Sequence, residues 1–220
     1  MKSSKFKSYL SGWWRYLLII IASVALWSYV FSFITALKPE EKVTVFIGSY
    51  VTESNIPYEY LDENKPEYLK AVEVSNNSID PNFGAILKVF GYGEADILIL
   101  PESKISKDGV ATLYSEISDE SLSLFPDEFG YFLGENGKTY GIKVYDAETK
   151  TKLISFLDYV PDLKEDAAES EKEKVEDYYL LFNKNSLHLG SLAGSDNDDK
   201  MNGAITIAQK LFDYEIEESV

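Results

Sequence analysis

Two pairs of polar residues follow apolar runs of this sequence, where strands of an α/β sheet are expected to end. Ser49 and Tyr50 follow the run 43–48, and Glu102 and Ser103 follow the run 95–101. Hydroxyl and carboxylate groups hydrogen-bond a polyol, and a tyrosine ring stacks on a sugar. Ligands of open α/β sheets bind outside the carboxyl ends of the strands. We therefore predict a ligand site at these four residues, with helix capping by Ser and Glu as the alternative.

The residues that could support catalysis lack the neighbours that the chemistry requires. His188 is the only histidine, and no nucleophile stands beside it in the sequence. Ser191, in the stretch 190–194, stands one position early for the nucleophile turn of a hydrolase. Paired carboxylates such as Asp127 and Glu128 are common in so acidic a chain, and glycoside hydrolysis depends on their separation in space. We therefore predict that the protein is not an enzyme.

Two further patterns fail as metal or cofactor sites. Asp196, Asp198 and Asp199 suggest a calcium loop, which needs oxygen ligands at alternating positions and a late glutamate. Lys200 takes one of those positions, and no glutamate follows at the required distance. The pair of glycines in 91–93 precedes a strand, whereas a dinucleotide loop follows one. The sequence therefore predicts neither a metal site nor a cofactor.

The longest uncharged segment lies near the N-terminus. Residues 16–37 carry no formal charge, and as a helix they would extend about 33 Å, enough to cross the hydrocarbon core of a bilayer. Basic residues precede the segment, and Glu40 and Glu41 follow it, which predicts a cytoplasmic N-terminus and an extracellular remainder. A cleaved signal peptide is the alternative. The uncleaved anchor is favoured because signal peptides have shorter apolar regions and Ile34 occupies a cleavage-site position that requires a small side chain.

Composition excludes several functions. The net charge is −16, and only five of the 21 basic residues and none of the 37 acidic ones precede residue 39, so the rest carries about −21. Such a field repels nucleic acid and anionic lipid headgroups, and no nucleic-acid partner is predicted. The chain has no cysteine, which excludes disulfides and a cysteine-linked lipid anchor. About 180 residues follow the anchor, the size of one domain.

The first half of this domain alternates strand and helix patterns. Strands are predicted at 43–48, 71–75 and 95–100, which are short β-branched or apolar runs. Helices are predicted at 56–69, in one or two pieces, and at 81–90, where apolar residues recur every three or four positions. The run 95–100 is apolar on both faces, which favours a buried parallel strand. The order predicts an α/β domain with a mainly parallel central sheet.

The second half changes in pattern. The sequence Glu135-Asn-Gly-Lys138 predicts the turn of a hairpin. Residues 162–177 are mostly charged and are predicted to form an acidic insertion or a solvated helix. The two strands of the hairpin are predicted at 130–133 and 139–145. Two further strands are predicted at 153–160 and 178–182, and a closing helix at 204–212.

Four segments, in this order, resemble the N-terminal lobe of the extracytoplasmic solute-binding proteins of ABC transporters, especially the carbohydrate-binding group. The strand 43–48 is similar to the strand that opens that fold. The stretch 91–101 resembles a strand that leads into a ligand-facing loop. The stretch 136–142 resembles a hairpin of the family, with Lys143 where a proline usually stands. The stretch 177–187 resembles the segment at the crossing to the second lobe.

This resemblance adds Tyr140 to the predicted ligand site, because the hairpin of the family lies near the same rim; a core tyrosine is the alternative. It implies a small polar ligand such as a sugar, and ABC permease subunits or another solute-binding subunit as partners. Members of the family continue into a second lobe that closes over the ligand. A single lobe is expected to bind a ligand weakly, to pair with another subunit or to act as an accessory.

Three regions are therefore predicted: a basic cytoplasmic N-terminus at 1–15, a transmembrane helix at 16–37 and an extracellular α/β domain at 38–220. The predicted function is that of a membrane-anchored, extracellular, solute-binding-like protein. It would be a ligand-binding or accessory component of an ABC-type carbohydrate importer in a bacterial plasma membrane. The alternative is an interaction or assembly protein of a membrane complex, without a small-molecule ligand.

Overall fold

The computed structural model describes residues 3–51, 55–126, 130–160, 175–190, 192 and 201–214. The chain divides into two compact units, Met1–Lys38 and Pro39–Val220. The first contains helix α1 (Ser3–Thr35), in which the stretch Trp13–Phe31 is exposed, apolar and long enough to cross a membrane. This apolar helix confirms the predicted segment in outline. The helix begins earlier than predicted because no proline interrupts the basic and aromatic residues before it.

The second unit is built around a seven-stranded sheet. The order of strands across it is β2-β1-β3-β7-β5-β4, and β6 pairs with β5 as well. The strands are β1 (Lys42–Ser49), β2 (Ala71–Ser78), β3 (Ile97–Pro101), β4 (Tyr131–Leu133), β5 (Thr139–Asp146), β6 (Thr151–Lys152) and β7 (Tyr178–Phe182).

The prediction of an α/β fold is confirmed, but the sheet is mixed rather than mainly parallel. β1 pairs in parallel with both β2 and β3, as strand–helix–strand connections require. β7 lies antiparallel between β3 and β5, and β4 and β6 are antiparallel to β5. The apolar run in β3 therefore reflects its central position, because both faces are covered although only one neighbouring strand is parallel.

Helices cover both faces of the sheet. The predicted helix at 81–90 is replaced by three consecutive pieces, α3 (Phe83–Ile86), a π turn (Leu87–Gly91) and α4 (Tyr92–Glu94). The other helices are α2 (Tyr58–Glu63), α5 (Val110–Leu113), α6 (Asp119–Leu122) and α7 (Gly203–Asp213), with single 3-10 turns at Pro39–Glu41 and Glu102–Lys104.

The core has two parts because side chains alternate along β1. Val43, Val45 and Ile47 belong to one group of buried side chains, which includes residues of α2 and α7. Phe46 belongs to a second group, which includes Phe83 of α3. Burial of each such side chain contributes about 1.5–3 kcal/mol.

Segment 153–160 does not form the predicted strand. It forms turns and a bend after β6, and the side chains of Ile154, Phe156, Leu157 and Tyr159 are buried in the core. Its alternation of apolar residues therefore reflects a covering loop rather than a strand. Of the predicted acidic stretch 162–177, residues 162–174 lie outside the described residues.

Candidate functional site

The carboxyl ends of β1 and β3 lie side by side, because the two strands are adjacent and parallel with Ile47 opposite Ile99. Ser49 and Tyr50 follow one strand end, and Glu102 and Ser103 follow the other. These four residues therefore follow strand ends at one edge of the sheet, and their role in binding a ligand stays a prediction. We call this edge the strand-end rim.

Ser49 lies beneath the rim rather than on it. The residue is only 1% exposed. Its Oγ lies 2.9 Å from the carbonyl oxygen of Asp158 and 3.1 Å from that of Tyr159, and it accepts a hydrogen bond from the backbone N–H of Val51 at 3.0 Å. The hydroxyl therefore connects the covering loop, residues 153–160, to the end of β1, which is a structural role.

Tyr50 and Ser103 converge on a residue that the sequence prediction missed, Glu176. The Ser103 hydroxyl donates to Glu176 Oε1 at 2.8 Å, and the Ser103 backbone N–H donates to Oε2 at 2.7 Å. The Tyr50 hydroxyl donates to Oε1 at 3.3 Å. Burial, and then the nearby Glu176 carboxylate, raise the pKa of Tyr50 above its ordinary value, so the phenol stays a donor.

Glu102 lies on the rim but makes different contacts. Its carboxylate pairs with Lys107 at 2.9 Å, and its backbone N–H donates to the carbonyl oxygen of Asp177 at 2.9 Å. The Glu102 side chain is therefore engaged with a lysine of its own loop.

The structure does not bring Tyr140 to the rim. Its neighbour Gly141 lies opposite Leu181, which in turn lies opposite Leu98 near the start of β3. Tyr140 is therefore level with the other end of β3. Its ring is buried, and its hydroxyl accepts a hydrogen bond from Asn136 Nδ2 at 2.9 Å. The predicted placement of Tyr140 is wrong, because β5 begins at the end of the sheet opposite the rim.

A charged cluster on β5 and β7 flanks the rim. Lys143 Nζ lies 3.1 Å from Asp146 and 2.5 Å from Asp177, and all three side chains are mostly buried. Burial acts to lower the pKa of Lys143, but hydrogen bonds with Asp177 and Asp146 outweigh it and raise the pKa. Hydrogen bonds from Thr149, and then the interaction with Lys143, lower the pKa of Asp146 to about 2. Lys143 and Asp146 are therefore ionised, and Lys143 pairs with the carboxylates of both Asp146 and Asp177.

Three tyrosines pack beneath this cluster. The rings of Tyr145 and Tyr178 lie 5.2 and 4.9 Å, centroid to centroid, from the ring of Tyr159. The Tyr178 hydroxyl donates to the Tyr159 carbonyl at 2.8 Å. Burial raises the pKa of Tyr159 and of Tyr178. These phenols are therefore neutral parts of the core that supports the rim.

His188 belongs to a separate buried network. Its Nε2 lies 2.9 Å from the Pro39 carbonyl oxygen and its Nδ1 lies 3.1 Å from the Tyr68 hydroxyl. Nearby, Asp96 accepts hydrogen bonds from Ser186 Oγ and the Thr44 N–H, and burial raises the pKa of its carboxyl group. These contacts connect parts of the fold. Within the described residues, no group of three or more His, Asp or Glu side chains is arranged to hold a metal ion.

Three patterns considered above lie outside the described residues: the aspartates at 196, 198 and 199, the acidic pair at 127–128, and Ser191. Glu176 had no signal of its own in the sequence, because it is one carboxylate in a long acidic run.

Comparison with protein-family models and with curated sequences adds no relative from which a site could be transferred. No protein-family model matches this chain. No curated protein sequence matches it either.

Proposed function

We propose that this protein is a membrane-anchored, extracellular, solute-binding-like protein that acts as a ligand-binding or accessory component of an ABC-type importer. Helix α1 supports an anchor, since its stretch Trp13–Phe31 has the length and composition of a membrane span. The unit Pro39–Val220 supplies the binding domain. The four segments that resemble solute-binding proteins all lie in this unit. Three of them provide the neighbouring strands β1, β3 and β7.

One observation carries the proposal. The hydrogen-bond donors of Tyr50 and Ser103 converge on one carboxylate, that of Glu176, at the carboxyl ends of the parallel strands β1 and β3. This is the edge at which open α/β sheets bind their ligands. Ser103 is exposed and Tyr50 is half-buried, so a solute has access to both side chains. The site binds by hydrogen bonding and ring stacking, without a chemical step.

The test is a thermal unfolding experiment on the full chain in detergent micelles. A ligand that binds only the folded state raises Tm by mass action. We expect a member of a panel of neutral and acidic sugars to raise Tm in the wild type, with a smaller rise in Ser103→Ala. Ser106→Ala, which removes an exposed serine of the same loop, is the matched control. A panel that leaves the wild-type Tm unchanged contradicts the proposal.

A second candidate function is that of an assembly protein of a membrane complex. It is favoured by two neighbouring exposed apolar side chains, since Val89 and Phe90 on the π turn are 55% and 51% exposed. Exposed apolar side chains that lie together often contact a partner protein. Phe90→Ser would then reduce co-purification with permease subunits, whereas Tyr58→Ser, which replaces an equally exposed aromatic residue elsewhere, would not. Equal recovery of the subunits with both variants argues against this candidate.

A further inference from the structure

Glu176 makes three contacts that together have the form of ligand recognition. Its two carboxylate oxygens accept hydrogen bonds from the Ser103 N–H, the Ser103 hydroxyl and the Tyr50 hydroxyl, at 2.7, 2.8 and 3.3 Å. All three donors stand at the ends of β1 and β3. Glu176 itself belongs to neither strand, since it precedes β7.

The donors match a carboxylate in number and in chemistry. The Ser103 backbone N–H has no acceptor function, and it approaches one oxygen while the two hydroxyls approach the other. A carboxylate offers two acceptor oxygens on one planar group, and hydrogen bonds to a charged acceptor are stronger than those to a neutral one. A neutral hydroxyl of a sugar offers one oxygen only.

We propose that the strand-end rim is a binding site for small carboxylates, such as sugar acids, and that Glu176 occupies this site from within the chain. The inference rests on the proposed function, because it takes the rim as a ligand site and narrows the ligand to an acid. A ligand carboxylate takes the place of the Glu176 carboxylate, which moves into water.

The charges around the rim are consistent with such an exchange. Replacing one carboxylate by another leaves the charge of the site unchanged, although the domain as a whole is strongly acidic. The neighbouring acids are already paired, because Glu102 contacts Lys107, and Asp146 and Asp177 contact Lys143. Occupation by Glu176 also predicts that a free acid binds the wild type more weakly than it binds a variant without this side chain.

The experiment measures Tm of the full chain in detergent with sodium acetate, with acetamide as the neutral analogue and sodium chloride at equal ionic strength. We expect Glu176→Ala to unfold at a lower temperature than the wild type, and we expect acetate to restore its Tm. At a hundredfold excess over the dissociation constant the rise is roughly 5–10 °C. Acetamide and sodium chloride are expected to leave Tm unchanged.

Glu102→Ala is the matched control, because it removes a carboxylate from the same rim that does not contact Tyr50 or Ser103. We expect no acetate response from Glu102→Ala, and loss of the response in the double variant Glu176→Ala/Ser103→Ala. Equal responses of Glu176→Ala and Glu102→Ala, or none from either, would overturn the inference. If Glu176→Ala does not fold, Glu176→Gln replaces it, with the same expected response to acetate and the same overturning outcomes.

Failure of this inference and failure of the proposed function are distinguishable. Suppose that a neutral sugar raises the wild-type Tm and that acetate does not raise the Tm of Glu176→Ala. The proposed solute site is then supported, and the inference that it binds carboxylates is rejected. Glucuronate and glucose provide the direct comparison in Glu176→Ala, since the two sugars differ by the carboxylate. A larger Tm rise with glucuronate supports the inference, and equal rises contradict it.

Discussion

His188 Nε2 lies 2.9 Å from the carbonyl oxygen of Pro39, the first residue of the globular unit. Since a carbonyl oxygen can only accept, the Nε2–H of the histidine is the donor. The other ring nitrogen lies 3.1 Å from the Tyr68 hydroxyl, whose oxygen also accepts the N–H of Gly203 at 2.9 Å. One buried imidazole thus connects the beginning of the domain, the turn before β2 and the start of α7.

Replacing this histidine by an apolar ring tests that connection. His188→Phe removes the hydrogen bonds that the ring makes with the Pro39 carbonyl and the Tyr68 hydroxyl, although the hydroxyl keeps the Gly203 N–H. We expect the free energy of unfolding to fall by about 1–3 kcal/mol, as for two hydrogen bonds lost. Urea denaturation measures the change. Leu187→Ala, at an exposed neighbouring position, is the control, and an equal loss in both variants would contradict a structural role for His188.

The amide of Asn183 provides a second test, at the π turn. Its Nδ2 lies 2.8, 3.0 and 3.3 Å from the carbonyl oxygens of Ala95, Tyr92 and Gly91. Asn183→Ala is expected to cost about 1–3 kcal/mol of stability, because the buried Ala95 carbonyl loses this donor, whereas the Gly91 carbonyl keeps the Ala95 N–H. Asn183→Asp is expected to cost more although it preserves shape, since a carboxylate would face carbonyl oxygens. An aspartate variant as stable as the wild type in urea would refute this explanation.

Asp146 makes stability depend on acid pH. Its pKa in the folded chain is about 2, against an ordinary value of 3.8. A lowered folded-state pKa contributes stability that is complete above about pH 4 and is lost as the pH falls towards 2. Asp146→Asn is therefore expected to be less stable than the wild type at neutral pH, and the difference should shrink on acidification. Urea titrations at several pH values measure it. A difference in stability that does not change with pH would argue against this role.

The proposed topology is testable because the chain has no cysteine. Asp108 is exposed on the globular unit, so Asp108→Cys should react with a membrane-impermeant maleimide in intact cells. Ser3→Cys should react only after the cells are permeabilised. Labelling of Ser3→Cys alone in intact cells would reverse the orientation, and labelling of neither before permeabilisation would place the domain inside the cell.

Local patterns predicted the elements whose residues carry their own signal. The apolar runs at β1, β3 and β7 and the Asn-Gly turn between β4 and β5 appear as predicted. Which strands become neighbours depends on contacts distant in sequence. The antiparallel position of β7 between β3 and β5 therefore had no local signal, and the sheet was expected to be mainly parallel.

The positions of the residues of the predicted site depend on the same long-range contacts. Ser49, Tyr50, Glu102 and Ser103 follow strands that end at one edge, which the order of elements indicates. Ser49 is buried because the loop 153–160 covers it, and that loop has the alternation of a strand. The position of Tyr140 was predicted wrongly, because its level along the sheet depends on the pairing of β5 with β7. Glu176 is one of several carboxylates in an acidic run, and its local sequence does not distinguish it from the others.

The position of β7 has a consequence for biosynthesis. Within the described sheet, the halves β2-β1-β3 and β5-β4-β6 are joined only through β7, which is the last strand in the chain. The edge of β3 that pairs with β7 therefore has no neighbouring strand until residue 182 has left the ribosome. A nascent chain arrested before that point would expose this edge and aggregate, so assembly of the sheet is completed late in translation.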